Sequence, residues 1–208
     1  MKRTVILMCL TLAFLLSAGV ALAADSIQGR IGVTGRIGFL VPADSDAFDP
    51  LPPGSDLETD VGFIGGGGLI FGLYKNFALE FNISYTEFGA EIGGIQEGDF
   101  DTTNISLGAQ YRFDYDSSMN LVPYVGGGLD ILVNGFSSSS GDSLDVDTVA
   151  GVHACAGIDY FLLKQLALNA ELKGVLAPDA DITFRGGKVG DYDPTSVSMT
   201  FGVRYFFN

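Results

Sequence analysis

Tryptophan is absent from the 208 residues, histidine occurs once, and cysteine occurs only at positions 9 and 155. Cys9 lies in an apolar amino-terminal stretch. Once that stretch is removed, Cys155 is the only thiol and no intrachain disulfide can form. Bases are scarce as well, 11 against 25 acids, for a net charge of −14. Such a chain has no basic face with which to hold a phosphate backbone, which excludes sequence-independent nucleic-acid binding. No run of about 20 apolar residues follows the amino terminus, so a helical membrane protein is excluded too. Yet 47% of the residues are hydrophobic. That content must be spread in short pieces.

The amino terminus sets the compartment. Lys2 and Arg3 make a positive start, Val5 to Leu16 are almost wholly apolar, and Ala21-Leu22-Ala23 puts small residues where a signal peptidase reads. The sequence therefore predicts a signal peptide over residues 1–23, with Ala24 as the second choice of cleavage position, and secretion across the inner membrane. Cys9 lacks the small preceding residues of a lipoprotein site. Loss of Lys2 and Arg3 takes the net charge to about −16, and the remaining residues, 24–208, make one domain. An oxidising compartment without a disulfide asks for another source of stability, and a closed, fully hydrogen-bonded barrel in lipid is one.

Eight stretches alternate with period two. The last, Thr195 to Asn208, shows the pattern best: Val197, Met199, Phe201, Val203, Tyr205 and Phe207 share one face, while Ser196, Ser198, Thr200, Gly202 and Arg204 share the other. The others are Ile27 to Val41, Thr59 to Tyr74, Phe77 to Glu87, Thr102 to Phe113, Leu121 to Val133, Thr148 to Leu162 and Leu166 to Leu176. Connections after the second, fourth and sixth are short. Those after the first, third, fifth and seventh are long, at about Pro42 to Glu58, Phe88 to Asp101, Asn134 to Asp147 and Ala177 to Pro194. Short turns at one end and long loops at the other describe an all-β, eight-stranded antiparallel up-and-down transmembrane barrel. An even strand count puts both termini at the short-turn, periplasmic end. Phe71, Phe77, Tyr111, Phe113, Tyr160, Tyr205 and Phe207 then form an aromatic girdle at the inner interface, and Phe39, Phe63 and Tyr85 a thinner one at the outer.

The leader, PYVGGGLDI (Pro123 to Ile131), AGIDYFLLKQLALNAEL (Ala156 to Leu172) and GVRYFF (Gly202 to Phe207) together resemble the small outer-membrane β-barrel domain family, to which OmpA, OmpX and OmpW-type barrels belong. The resemblance covers essentially the whole mature chain. It implies a barrel in a bacterial outer membrane, in contact with outer-membrane lipid and lipopolysaccharide, inserted by the barrel-assembly machinery and expected as a monomer. An aromatic usually ends such chains; here Asn208 follows Phe207.

The inward positions collect Arg30, Arg36, Arg112, Lys173 and Arg204 against Glu80, Asp130, Asp159 and Glu171, with His153 among them. In so acidic a chain this near balance predicts side chains paired across a lumen just wide enough to be filled. The competing reading is a gated ion path. Inward glycines either make room for long arginines or leave a small cavity. Gly65 to Gly68 is no phosphate loop, since no Lys-Ser/Thr follows and the run sits inside a strand.

Most remaining acids fall in the outer loops: Asp44, Asp46, Asp49, Asp56 and Glu58; Glu91, Glu97, Asp99 and Asp101; Asp142, Asp145 and Asp147; Asp179, Asp181, Asp191 and Asp193. No stretch has calcium-loop spacing, so solvated, mutually repelling loops are expected, with no metal and no cofactor. Cys155 and Asp159 share a strand face with His153 but lie about 7 and 20 Å from it at the strand rise, too far for a direct triad. The expectation is a non-enzymatic protein with a structural or surface-interaction role, through envelope integrity, adhesion or an extracellular partner. The alternatives are a narrow conduit for small or apolar solutes and, less favoured, a lipid-modifying enzyme.

Overall fold

The computed structural model describes residues 27–43, 57–59, 61–92, 95–113, 120–138, 143–184 and 187–207. Residues 1–26, which include the expected leader, and Asn208 lie outside them, as do the carboxylates of Asp44, Asp46, Asp49, Asp56, Glu58, Glu91, Glu97, Asp99 and Asp142. In chain order the strands are β1 (Ile31–Pro42), β2 (Leu57–Thr59), β3 (Gly62–Tyr74), β4 (Phe77–Ile92), β5 (Ile95–Arg112), β6 (Leu121–Ser138), β7 (Ser143–Val146), β8 (Val149–Leu163), β9 (Leu166–Leu176), β10 (Ala180–Phe184), β11 (Gly187–Tyr192) and β12 (Ser196–Phe206). The eight long ones each pair antiparallel with the next. The ring closes where β1 meets β12, in register from Gly32↔Phe206 to Pro42↔Ser196. A closed ring satisfies every ladder donor and acceptor and leaves no edge in the hydrocarbon.

Alternation decides which face meets which solvent. Along β12 the even-numbered side chains are buried or half-buried while Val197, Met199, Phe201, Val203 and Tyr205 are exposed. Large apolar side chains on the outer surface continue around the barrel, including Ile37, Leu69, Phe81, Leu107, Leu129, Val152 and Leu172. Surface of that extent has no place in water and suits lipid. The inner girdle is exposed throughout, with edge-to-face contacts in Phe77–Tyr111 at 5.1 Å, Tyr111–Phe113 at 5.1 Å and Tyr205–Phe207 at 5.2 Å.

The short-turn end is closed by an apolar floor of Ile27, Ile70, Ala78, Phe161, Ala167 and Phe206. Residues 27–30 fold beneath the barrel: Gln28 bridges Gly72 in parallel, and Gly29, at φ 75°, donates its N–H to the Gly72 carbonyl. A Cβ at Gly72 would lie 2.0 Å from the Ile27 carbonyl oxygen, so this close approach requires glycine.

The outer end departs from expectation. Phe88 to Asp101 is not an open loop. β4 and β5 stay paired as far as Ile92↔Ile95, and β6 runs on to Ser138. β7 then adds to β6, β10 to β7 and β11 to β10, while β2 pairs with β4. The inward face changes from polar to aromatic at this height. Phe88, Phe100 and Phe136 sit opposite one another on adjacent strands. Tyr192 of β11 stacks on Phe100 at 4.8 Å and 15° and reaches Phe88 at 6.3 Å. With Ala180 and Ile182 they form a buried cluster, and burial pushes the Tyr192 hydroxyl up to about 12. The extension therefore curls until its far strand meets the first, because only that buries the aromatic row.

The hairpin of β10 and β11 also tempers the expected repulsion. Lys188 Nζ lies 2.8 Å from Asp181 Oδ1 and 2.6 Å from Asp191 Oδ1. The hydrogen bond from Lys188 holds the Asp181 carboxyl below the ordinary carboxylate range. Its contribution to the hairpin is present above that ordinary range and is lost as pH falls through the lowered value. A carbon-detected titration should show Asp181 titrating lower than in a Lys188→Met variant, by a margin that shrinks in high salt.

Candidate functional site

The distinguishing site is the inside of the barrel. Seven of the eight long strands send polar side chains into one layer above the apolar floor, and β3 contributes glycines there. Arg36 on β1 donates through Nε to Asn169 Oδ1 at 2.8 Å and through Nη1 to Glu171 Oε1 at 3.1 Å. Its Nη2 meets Glu80 Oε1 at 2.6 Å. Arg204 on β12 donates to Thr34 Oγ1 at 3.0 Å, Asp159 Oδ2 at 2.7 Å and Glu80 Oε2 at 2.9 Å. Arg112 on β5 takes the same Asp159 oxygen at 2.6 Å. Tyr124 on β6 donates to Glu171 Oε2 at 2.8 Å and accepts from Asn169 Nδ2 at 2.9 Å. The Arg112 and Arg204 guanidiniums each lie 5.6 Å from the centre of the Tyr124 ring. Gln110 donates to Glu80. Asp159 and the Arg204 side chain are fully buried, and the other ionised members are at most 9% exposed.

Uncompensated charges at that depth would be prohibitive, so the layer holds together only as a set. Glycine makes its width possible. A Cβ at Gly157 would lie 2.4 Å from both Cζ and Oη of Tyr124 and 2.7 Å from the Ala170 carbonyl oxygen. Tyr124 is pinned by two hydrogen bonds and cannot step aside. Gly157→Ala should therefore lower the temperature of the folded-to-unfolded band shift on gels, at a cost of about 1–3 kcal/mol.

A second group sits higher. Asp130 on β6 is fully buried; its Oδ1 accepts from Lys173 Nζ at 2.7 Å, and His153 Nδ1 lies 2.5 Å from its Oδ2. His153 is opposite Gly128, which is opposite Gly108, and Asp130 is its diagonal neighbour. Cβ atoms at Gly108 and Gly128 would each come within 2.9 Å of the imidazole, so the ring lies across two side-chain-free positions. Between the groups lies a cavity of about 50 Å³ that His153, Cys155, Glu80, Glu171 and Lys173 all reach.

Of the ten inward residues expected to form a network, six make the lower layer and three the upper group. The tenth, Arg30, stands lower, its guanidinium 5.2 Å from the Phe206 ring centre on the floor. Thr34, Gln110, Tyr124 and Asn169 complete the layer and were not among the ten expected residues. Alternation gave their direction, and only the cross-barrel register gives their partners. Among the described residues, no three His, Cys, Asp or Glu side chains come together to hold a metal ion.

A family model for the outer membrane protein beta-barrel domain matches residues 10–207. The chain belongs to that family. Membership implies an outer-membrane location. The fold is also that of solved barrels. OprG from Pseudomonas aeruginosa aligns with a TM-score of 0.71 at 18% identity, over 87% of this chain and 97% of that one. Neisserial surface protein A gives 0.56 at 19%, over 85% and 97%. Outer membrane protein W of E. coli gives 0.53 at 17%, over 86% and 98%. No curated protein matches the sequence. At these identities the likeness establishes the fold alone, and the side chains of the lumen must speak for themselves.

Proposed function

We propose that this family member is a closed, non-enzymatic barrel with a structural and surface-interaction role in the outer membrane, meeting its surroundings through its acidic outer face. The observation that carries the reading is the buried layer from Arg36 to Arg204. It spans the lumen with directly bonded side chains and rests on an apolar floor. A conduit would have to part several buried ion pairs at once, each left uncompensated as it opened. His153, the partner of Asp130, lines a cavity of about 50 Å³ inside the barrel rather than the lipid surface, which weighs against a lipid-modifying enzyme. In planar bilayers the refolded protein should raise no discrete conductance steps above the bare membrane. Reproducible steps of appreciable size would overturn the closed-lumen reading.

A further inference from the structure

Above the Lys173 group, directly under the aromatic cap, lies a second cavity of about 30 Å³. Phe88 and Tyr192 form its roof, Leu132 is part of its wall, and Thr102 and Ser196 add hydroxyls. Of the described residues lining it, Lys173 alone is charged. We propose that this chamber is a binding site for a small amphipathic anion, a carboxylate head on a short apolar tail, taken up from the outer side. The head would meet Lys173. An ammonium has three donors and Asp130 accepts one, while Asp130 divides its charge between Lys173 and His153. The apolar tail would lie against Leu132 and the roof.

The hairpin of β10 and β11 joins the rest of the sheet through two residue pairs, Ile182↔Val146 and Thr183↔Asp145. It is also held by the Asp147 N–H donated to the Asp181 carbonyl at 3.1 Å and by Ala180, Ile182 and Tyr192, which pack into the aromatic cluster with Phe88 and Phe100. Closed, the chamber has room for about two waters, so entry requires Tyr192 to swing out and give up its volume to the ligand. The buried layer lies below the site, which makes the chamber blind. It is a receptor pocket, and it stands or falls independently of whether the barrel conducts.

Calorimetric titration of the full-length barrel in zwitterionic nanodiscs with sodium hexanoate tests this, with empty nanodiscs as reference. Saturable one-to-one binding is expected. Hexanol and hexylammonium should bind roughly ten- to a hundred-fold more weakly, as expected for loss of one charge-assisted hydrogen bond. Lys173→Met should lose hexanoate binding to the same degree, and Tyr192→Ala, with the roof removed, should bind faster. Equal binding of hexanoate and hexanol would reduce the site to greasy partitioning and overturn the proposal. Absence of saturable binding in both the native barrel and Tyr192→Ala would overturn it too. The ligand comparison decides even where Lys173→Met fails to fold.

Discussion

Replacing Arg204 with methionine should destabilise the barrel by about 3–5 kcal/mol, read as a drop in the temperature of its heat-dependent gel shift. The side chain is fully buried and joins Thr34, Asp159 and Glu80 while lying over Tyr124. Methionine keeps much of the volume, so the loss isolates the charge. Asp159 would keep Arg112, and Glu80 would keep Arg36, each short of one cation in a place water cannot reach. Lys188 provides the contrast. It also pairs with two carboxylates, but the three side chains are about half exposed, and solvent screens such pairs. Lys188→Met should leave the transition where it is. Equal, negligible effects at both positions would mean that the lumen layer is bathed in water.

Arginine at position 129 should cost about 2–4 kcal/mol, and at position 133 about 0–1 kcal/mol. Both positions carry exposed apolar residues on the outer face of β6. Pairing register sets their depths. Val125 is level with Tyr111 and Phe77 of the inner girdle, and Val133 is level, through Thr103, with Tyr85 of the outer one. Leu129, in the row of Leu107 and Phe81, is midway. A bilayer charges for depth because its centre cannot solvate a guanidinium, whereas near the interface the side chain reaches the headgroups. Equal costs at 129 and 133, measured by urea titration of folding into liposomes, would contradict the membrane orientation.

Much of this was legible in the sequence because a barrel strand in lipid has a different solvent on each side, and period-two alternation records both. The inward direction of Arg36, Glu80, Asp159 and Arg204 followed from that alone. Their pairing did not, since it depends on how the ring of strands is staggered when it closes. His153 illustrates the limit: its own strand offers no acid within reach, and its partner, Asp130, lies diagonally across the next strand. The outer cap escaped for another reason. Alternation continues through Phe88, Phe100 and Phe136, but there the inward residues turn from polar to aromatic, and glycines and acids nearby imitate a loop. Tyr192, far along the chain, supplies the contact that makes the aromatic row a core.

The central claim is that the lumen is closed from both ends, and Cys155 reports on it directly. The thiol lines the cavity between the buried layer and the outer cap, and it is the only one in residues 24–208. A bulky, charged methanethiosulfonate reagent, applied from both sides to the folded barrel in liposomes, should leave Cys155 unlabelled while the urea-unfolded chain reacts to completion. Labelling of the folded protein at a rate close to that of the unfolded chain would contradict the account.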